Sequence, residues 1–175
     1  MLRRDYAYLF FFLIHIPIIF LIDTVPLQPT FLRTDLSKSL RNFYITTYRD
    51  KFFEEPAPVW FTTFIWMELL YHVPLSAWAV WALLRDHPLV PVNLLIFGVQ
   101  ACVTSLTCLV DVWSWEDRST DEKVQITYLY GPYVALGMYT PWIPYLIVLT
   151  GVGALMALDM VFRLRDKLTP KPKRE

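Results

Sequence analysis

The sequence predicts an all-α, polytopic membrane protein: a bundle of four transmembrane helices with an amphipathic helix in its first loop. Three observations carry that expectation. Of the 175 residues, 55% are hydrophobic and 17% aromatic, which is more apolar than a soluble domain of this length. The apolar residues are gathered into four blocks with short polar connections, not spread in a repeating amphipathic period. Two of the blocks nevertheless contain a carboxylate, Asp23 and Glu68. An ionised carboxylate at the centre of a membrane helix costs about 2.5–3.5 kcal/mol on insertion scales. A chain that accepts this cost twice puts the groups to use, so function is sought there first.

Taken in order, residues 1–5 form a short N-terminal flank containing Arg3 and Arg4. The run at 6–25 is long enough to cross a bilayer. No small-x-small cleavage site follows it, only Asp-Thr-Val-Pro, so it reads as a retained first span and not a signal peptide. In the 26–58 loop Leu32, Leu36, Leu40, Tyr44 and Tyr48 recur every four residues, with Arg33, Lys38, Arg41 and Asn42 between them. That spacing predicts an amphipathic helix, N-capped by Thr34, which lies on the membrane or caps the bundle. Further spans are predicted at 59–84 and 91–110. The last apolar region, 124–162, is too long for one straight crossing and too short for two. Pro132, Pro141 and Pro144 interrupt it, as do Gly131, Gly137, Gly151 and Gly153. It is expected to form one kinked span within 125–162, preceded by a segment at the surface or re-entering. The membrane domain is thus 6–162, followed by a basic tail at 163–175.

Charge gives a weak orientation. Arg33, Lys38, Arg41, Arg49 and Lys51 argue against a lumenal first loop, whereas Arg163, Arg165, Lys167, Lys171, Lys173 and Arg174 favour a cytosolic tail. With four spans the N-terminus shares that side. Lys171 and Lys173 in the final Lys-Pro-Lys-Arg-Glu fit a dilysine retrieval signal for the endoplasmic reticulum, a receptor-read address and not an anchor. The formal charge of zero gives no electrostatic reason to expect nucleic acid. Cys102 and Cys108 read as small buried hydrophobes. No metal-ligand spacing, phosphate loop or nucleophile elbow is present, and no cofactor is expected.

Inside the spans the polar groups are few. His15 and Asp23 lie eight residues apart on neighbouring faces of the first helix, and Glu68 and His72, four apart, share one face of the second. Pro17 and Pro74 would free the carbonyls of Leu13 and Leu70, adding acceptors. Two carboxylates facing each other would share a proton, leaving a donor and an acceptor side by side. Such a pair can bind an amine or a hydroxyl. It can also protonate an alkene if aromatic faces stabilise the cation, with Asp23, Glu68 and His15 as the reacting groups. Trp60, Phe64, Trp66, Tyr71, Trp78, Trp113, Trp115, Tyr130 and Tyr133 supply such faces. The plainer readings stand beside these: Asp23 could cap its span, and either histidine could be a hydrogen-bonded packing residue. Asp159, one turn before Arg163, is expected to pair with it.

HIP followed by LID in the first span, YRDKFFEEPAPVWF leading into FIWMELLYHVP, then SWEDRST and YLYGPY together resemble the sigma-2 receptor family, within the wider EXPERA-domain group. The resemblance implies a four-helix protein of the endoplasmic reticulum, both termini cytosolic and the first loop with its amphipathic helix lumenal, holding a sterol or cationic amphiphile in a pocket open to the bilayer. Asp23 and Glu68 would be its acidic pair, with His72, His15, Tyr130 and Tyr133 around it and Asp50 shaping the loop. The related emopamil-binding sterol isomerases carry a His and a Glu four apart on the first span. Here His15 and Asp23 depart from that spacing, so the resemblance implies binding ahead of catalysis. Fungal relatives carry the name efficient mitochondria targeting-associated protein, which implies a part in passing mitochondrial precursors from the reticulum. Partners so implied are the membrane, a sterol or amphiphilic lipid, sterol transporters or precursor proteins, and a second copy in a homodimer.

Overall fold

The computed structural model describes residues 3–134 and 152–169, and every regular element in them is helical. Helix α1 (Arg3–Ile18) runs into a π-helical turn, Ile19–Asp23. The first loop holds α2 (Asp35–Tyr48). The next continuous helix comprises α3 (Val59–Met67), a second π-helical turn (Glu68–His72) and α4 (Val73–Leu84). Then come α5 (Val90–Ser114), α6 (Thr120–Val134) and α7 (Val152–Leu168). Among the described residues, three stretches are long and apolar enough to cross a membrane: Arg4–Asp23, Val59–Leu84 and Val90–Ser114. They match the first three expected spans, the third reaching further at its C-terminal end. The kink expected within 125–162 lies outside the described residues, between α6 and α7.

The helices are apolar on their outer faces as well as their inner ones. On α5, Val92, Ile96, Val99, Val103, Leu106, Val110 and Trp113 are all exposed, forming one stripe at helical spacing. At about 1.5 Å per residue this stripe is about 30 Å tall, the thickness of a hydrocarbon core. Tyr6, Phe10, Leu13, Ile14 and Ile18 line a similar face of α1. Apolar surface this continuous is incompatible with water and is what acyl chains cover. The protein is a multi-pass membrane protein.

The chain divides into two compact units, Met1–Asp86 with Trp115–Ile126, and His87–Ser114 with Thr127–Glu175. In the second unit α5 packs along α7, and Lys167 Nζ donates to the Pro88 carbonyl at 3.3 Å, so the two helices run antiparallel. The buried face of α5 includes Gly98, Ala101, Ser105 and Cys108, four small residues three or four apart. In a bilayer no hydrophobic force drives helices together, and small residues earn close backbone approach and dispersion contact instead. Asp159 pairs with Arg163 at 2.9 Å in this otherwise apolar packing, as the i, i+4 spacing predicts. Ala101→Leu is expected to destabilise the unit by about 1–3 kcal/mol through overpacking. The check is its unfolding midpoint in detergent; an unchanged midpoint would show that α5 has room to spare.

In the first unit α1 packs against α4, and the first π turn against α2. Thr34 caps α2 as expected, its hydroxyl accepting from Ser37 N at 3.1 Å. The buried side of α2 keeps Leu40, Tyr44 and Tyr48 of the four-residue spacing but not Leu36. Leu32 and Leu36 are exposed, as is Phe43, while Ser37 is buried and Leu40, Arg41, Tyr44 and Tyr48 are half-buried. A polar residue, Arg41, takes an inward position because it has carbonyl and aromatic partners there.

Candidate functional site

Both intramembrane carboxylates stand in π-helical turns: Asp23 ends the first and Glu68 begins the second. A π turn widens the helix by one residue and is found preferentially at functional sites. Proline explains the second turn. Pro74 has no N–H and its ring would clash with the carbonyl one turn back. The wider turn lets Val73 N–H reach the Glu68 carbonyl and relieves that clash. In the first turn Thr24 N and Thr24 Oγ1 both donate to the Ile19 carbonyl, at 3.0 and 2.9 Å.

The carbonyls left open at this helix end are satisfied from the loop. Gln28 Nε2 donates to the Phe20 carbonyl at 2.6 Å and to Thr24 Oγ1 at 2.9 Å. Arg41 Nη1 donates to the Ile22 carbonyl at 2.8 Å, and its guanidinium lies 4.9 Å from the centre of the Phe53 ring. Arg33 ties the following turn through Nε to the Gln28 carbonyl at 2.7 Å and Nη2 to Pro26 at 2.8 Å. Asp23 is therefore presented by a helix end whose backbone is already capped, and its carboxylate is not spent on capping. Arg41 is itself below its ordinary pKa because it is partly buried, with Asp23 first among the charges that pull it back up, then Glu55, Tyr44 and Asp50.

Glu68 is half-buried, but its Oε2 is fully enclosed and has no hydrogen-bond partner among the described residues. It is near enough to Asp23 to feel that residue's charge. His72, on the same turn, is buried and faces His15 of α1, with ring centres 6.4 Å apart; His15 also stacks on Phe11 at 4.9 Å. The structure thus opposes His15 of α1 to His72 of the second π turn, a partnership that spacing along one helix does not reveal. Ser76, one turn beyond His72, is buried with its Oγ unpartnered among the described residues. Leu13 and Leu70, whose carbonyls proline frees, are exposed. Asp23 and Arg41 share a cavity of about 50 Å³ with Phe52, Phe53, Phe61 and Ile65 among its walls.

Asp50 is fully buried. Its Oδ2 accepts from Tyr44 OH at 2.8 Å and its Oδ1 from Phe52 N at 3.0 Å. This fixes Phe52 at the centre of a ring cluster, 5.2 Å from Trp60, 4.8 Å from Phe61 and 4.9 Å from Trp115. The loop after α5 braces the same frame. Arg118, buried, donates Nε to the Arg49 carbonyl at 2.9 Å, Nη2 to Glu54 at 2.5 Å and Nη1 to Asp117 at 2.9 Å, while Lys51 pairs with Asp117. Sequence reading missed Arg118 and Arg41, whose partners lie far along the chain. Tyr130 is half-buried on α6; the Tyr133 side chain, Lys171 and Lys173 lie outside the described residues. No group of three His, Cys, Asp or Glu side chains among the described residues is placed to hold a metal.

The brace carries a pH dependence. Glu122 accepts from Ser119 N at 2.8 Å and Ser119 Oγ at 3.0 Å in a capping box that starts α6. The bond from the Ser119 backbone, then that from its hydroxyl, hold the Glu122 carboxyl below its ordinary 4.5. A depressed carboxylate stabilises the fold above its ordinary pKa, and that contribution is lost as pH falls through the lowered value. The protection of the 119–123 amides from exchange, relative to the unstructured-peptide rate at each pH, is expected to fall below about pH 4.5, and Glu122→Gln should remove most of that dependence.

A family model, EXPERA (EXPanded EBP superfamily), matches residues 36–152, a range that takes in α2, Asp50, Glu68 and His72. The chain belongs to the EXPERA family. Among curated relatives, this EXPERA chain is 30% identical to efficient mitochondria targeting-associated protein 19 of Schizosaccharomyces pombe, over 79% of this chain and 73% of the relative. It is 23% identical to sigma intracellular receptor 2 of Xenopus tropicalis, over 98% of this chain and 95% of the receptor. To the Homo sapiens receptor of that name it is 25% identical, over 72% and 78% respectively.

Proposed function

We propose that this EXPERA protein binds a sterol or similar amphiphile within the membrane, through a polar site built on Asp23 and Glu68, and acts in lipid handling. The observation that carries the reading is Glu68 Oε2, enclosed and without a hydrogen-bond partner among the described residues. Leaving a buried acceptor unsatisfied is costly, and a ligand hydroxyl or ammonium would supply the missing donor. His15, His72 and Ser76 extend the polar strip from it. Similarity to proteins named sigma intracellular receptor 2 supports the same reading. Asp50 shapes the loop without touching ligand. The protein crosses the bilayer four times in the endoplasmic reticulum, with α2 lumenal, both termini cytosolic and Lys171 and Lys173 as the retrieval signal. The antiparallel α5 and α7 support that arrangement of termini.

A second reading rests on the fungal relative's name: an accessory factor in delivering precursors to mitochondria. The experiment that separates these incubates purified protein with a sterol carrying a ring double bond, then extracts and resolves the bound lipid by isomer-separating mass spectrometry. Unchanged sterol retained by the protein is the expected result. A shifted double bond would make the protein an isomerase, with Asp23, Glu68 and His15 as reacting groups, and no retention would favour the targeting role.

A further inference from the structure

Helix α2 is tied to the end of a membrane span on one side and turns apolar side chains outward on another. It packs against the π turn Ile19–Asp23, which ends the membrane-crossing stretch Arg4–Asp23. That contact puts α2 at the level where hydrocarbon gives way to head groups. With about 100° between successive residues, α2 divides into three sectors, each roughly a third of its circumference. The sector toward the span holds Ser37, Arg41, Tyr44 and Tyr48, all buried or half-buried. A second holds Leu36 and Phe43, 61% and 62% exposed, with half-buried Leu40 at its inner border. The third holds Asp35, Lys38, Asn42 and Thr46, all exposed. In the turn Thr30–Leu32 just before α2, Phe31 and Leu32 are exposed as well.

We infer that α2 is an interfacial helix whose Leu36 and Phe43 side, continued by Phe31 and Leu32, is seated in the leaflet at which the first span ends, and that apolar burial and not charge holds it there. A helix on the flank of a span has three surroundings, namely protein, acyl chains and water, and the three sectors match them in kind. Ile18, the residue before the π turn, is itself exposed on the outer face of α1, so acyl chains reach the level at which α2 packs. Many interfacial helices add attraction to anionic lipid, but the five cations of this loop have partners within the chain. Arg33 donates to the Gln28 and Pro26 carbonyls, and Arg41 to that of Ile22. Lys38 pairs with Asp35, Arg49 with Glu122 and Lys51 with Asp117. The same engagement explains how a loop with this many cations can flank a span without acting as a basic patch.

The test uses the full chain in phosphatidylcholine nanodiscs, with Cys102→Ser and Cys108→Ala, and one nitroxide spin label at a time. Leu36→Cys and Phe43→Cys carry it on the apolar side, Lys38→Cys and Asn42→Cys on the polar side. Relaxation by oxygen, which concentrates among acyl chains, is compared with relaxation by a water-soluble nickel chelate. The oxygen-to-nickel ratio is expected to be about threefold or more higher at 36 and 43 than at 38 and 42, as for side chains about 5–10 Å inside the head-group boundary. Adding phosphatidylserine or salt should leave the ratios unchanged. Should the cysteine-free background not fold, p-benzoylphenylalanine in place of Phe43 in the otherwise native chain gives the same reading, its expected photo-adduct being a phospholipid. Equal ratios at the four positions would place α2 in water and overturn the inference. Exclusion of both reagents from 36 and 43, or an adduct to peptide, would mean that a protein surface covers them, with the same consequence. A difference that appears only with anionic lipid would overturn the apolar seat in favour of a charged one.

Discussion

Glu68→Gln is expected to weaken cholesterol retention by about tenfold to hundredfold while leaving the fold as stable as wild type. A hydrogen bond to a charged group contributes about 1.5–3 kcal/mol, and each 1.4 kcal/mol is a factor of ten in affinity. The stability side follows from the missing partner. Glu68 Oε2 makes no hydrogen bond among the described residues, so the carboxylate brings its desolvation cost without a bond in return. An amide of the same shape removes the charge and much of that cost. Activity and stability therefore part company at this residue, as they do where a site is held in a destabilised state for function. Equilibrium retention and an unfolding midpoint, measured on the same preparation, check both halves. A midpoint that falls in step with retention would mean Glu68 is a packing residue.

Asp50→Ala should have the opposite signature. It removes the acceptor for Tyr44 OH and Phe52 N at a fully buried position, and each orphaned donor costs about 1–3 kcal/mol. A loss of about 2–4 kcal/mol is expected, felt first in the ring cluster around Phe52 and therefore in the loop. Asp50→Asn retains one oxygen acceptor and should lose roughly half as much. Unfolding midpoints and the rate of proteolysis in the 49–58 segment report this. If Asp50→Ala abolished retention with the midpoint unchanged, Asp50 would be a ligand contact and not a brace.

The contrast between these residues shows what the sequence could disclose. Three membrane helices were legible because length and apolarity alone decide them, and Thr34 and the Asp159–Arg163 pair because caps and i, i+4 pairs are local. The two carboxylates stood out because charge is rare in such blocks. What surrounds them was not legible. A π turn comes from a contest between proline and backbone hydrogen bonding that residue spacing does not encode. His15 meets His72 only through helix packing. Arg41 reads as the solvated face of an amphipathic helix until the Ile22 carbonyl, 19 residues earlier, is seen to accept from it. Arg118 sits in a polar loop, and its bonds to residues 49 and 54 depend on two loops meeting on one side.

The most direct measurement is photo-crosslinking of a diazirine-bearing cholesterol in native membranes, followed by peptide mapping. A ligand site on the two π turns predicts label concentrated on the Arg4–Asp23 and Val59–Leu84 segments and displaced from both by Glu68→Gln. Label confined to the exposed stripe of α5, and indifferent to Glu68→Gln, would show ordinary lipid contact and contradict an intramembrane site.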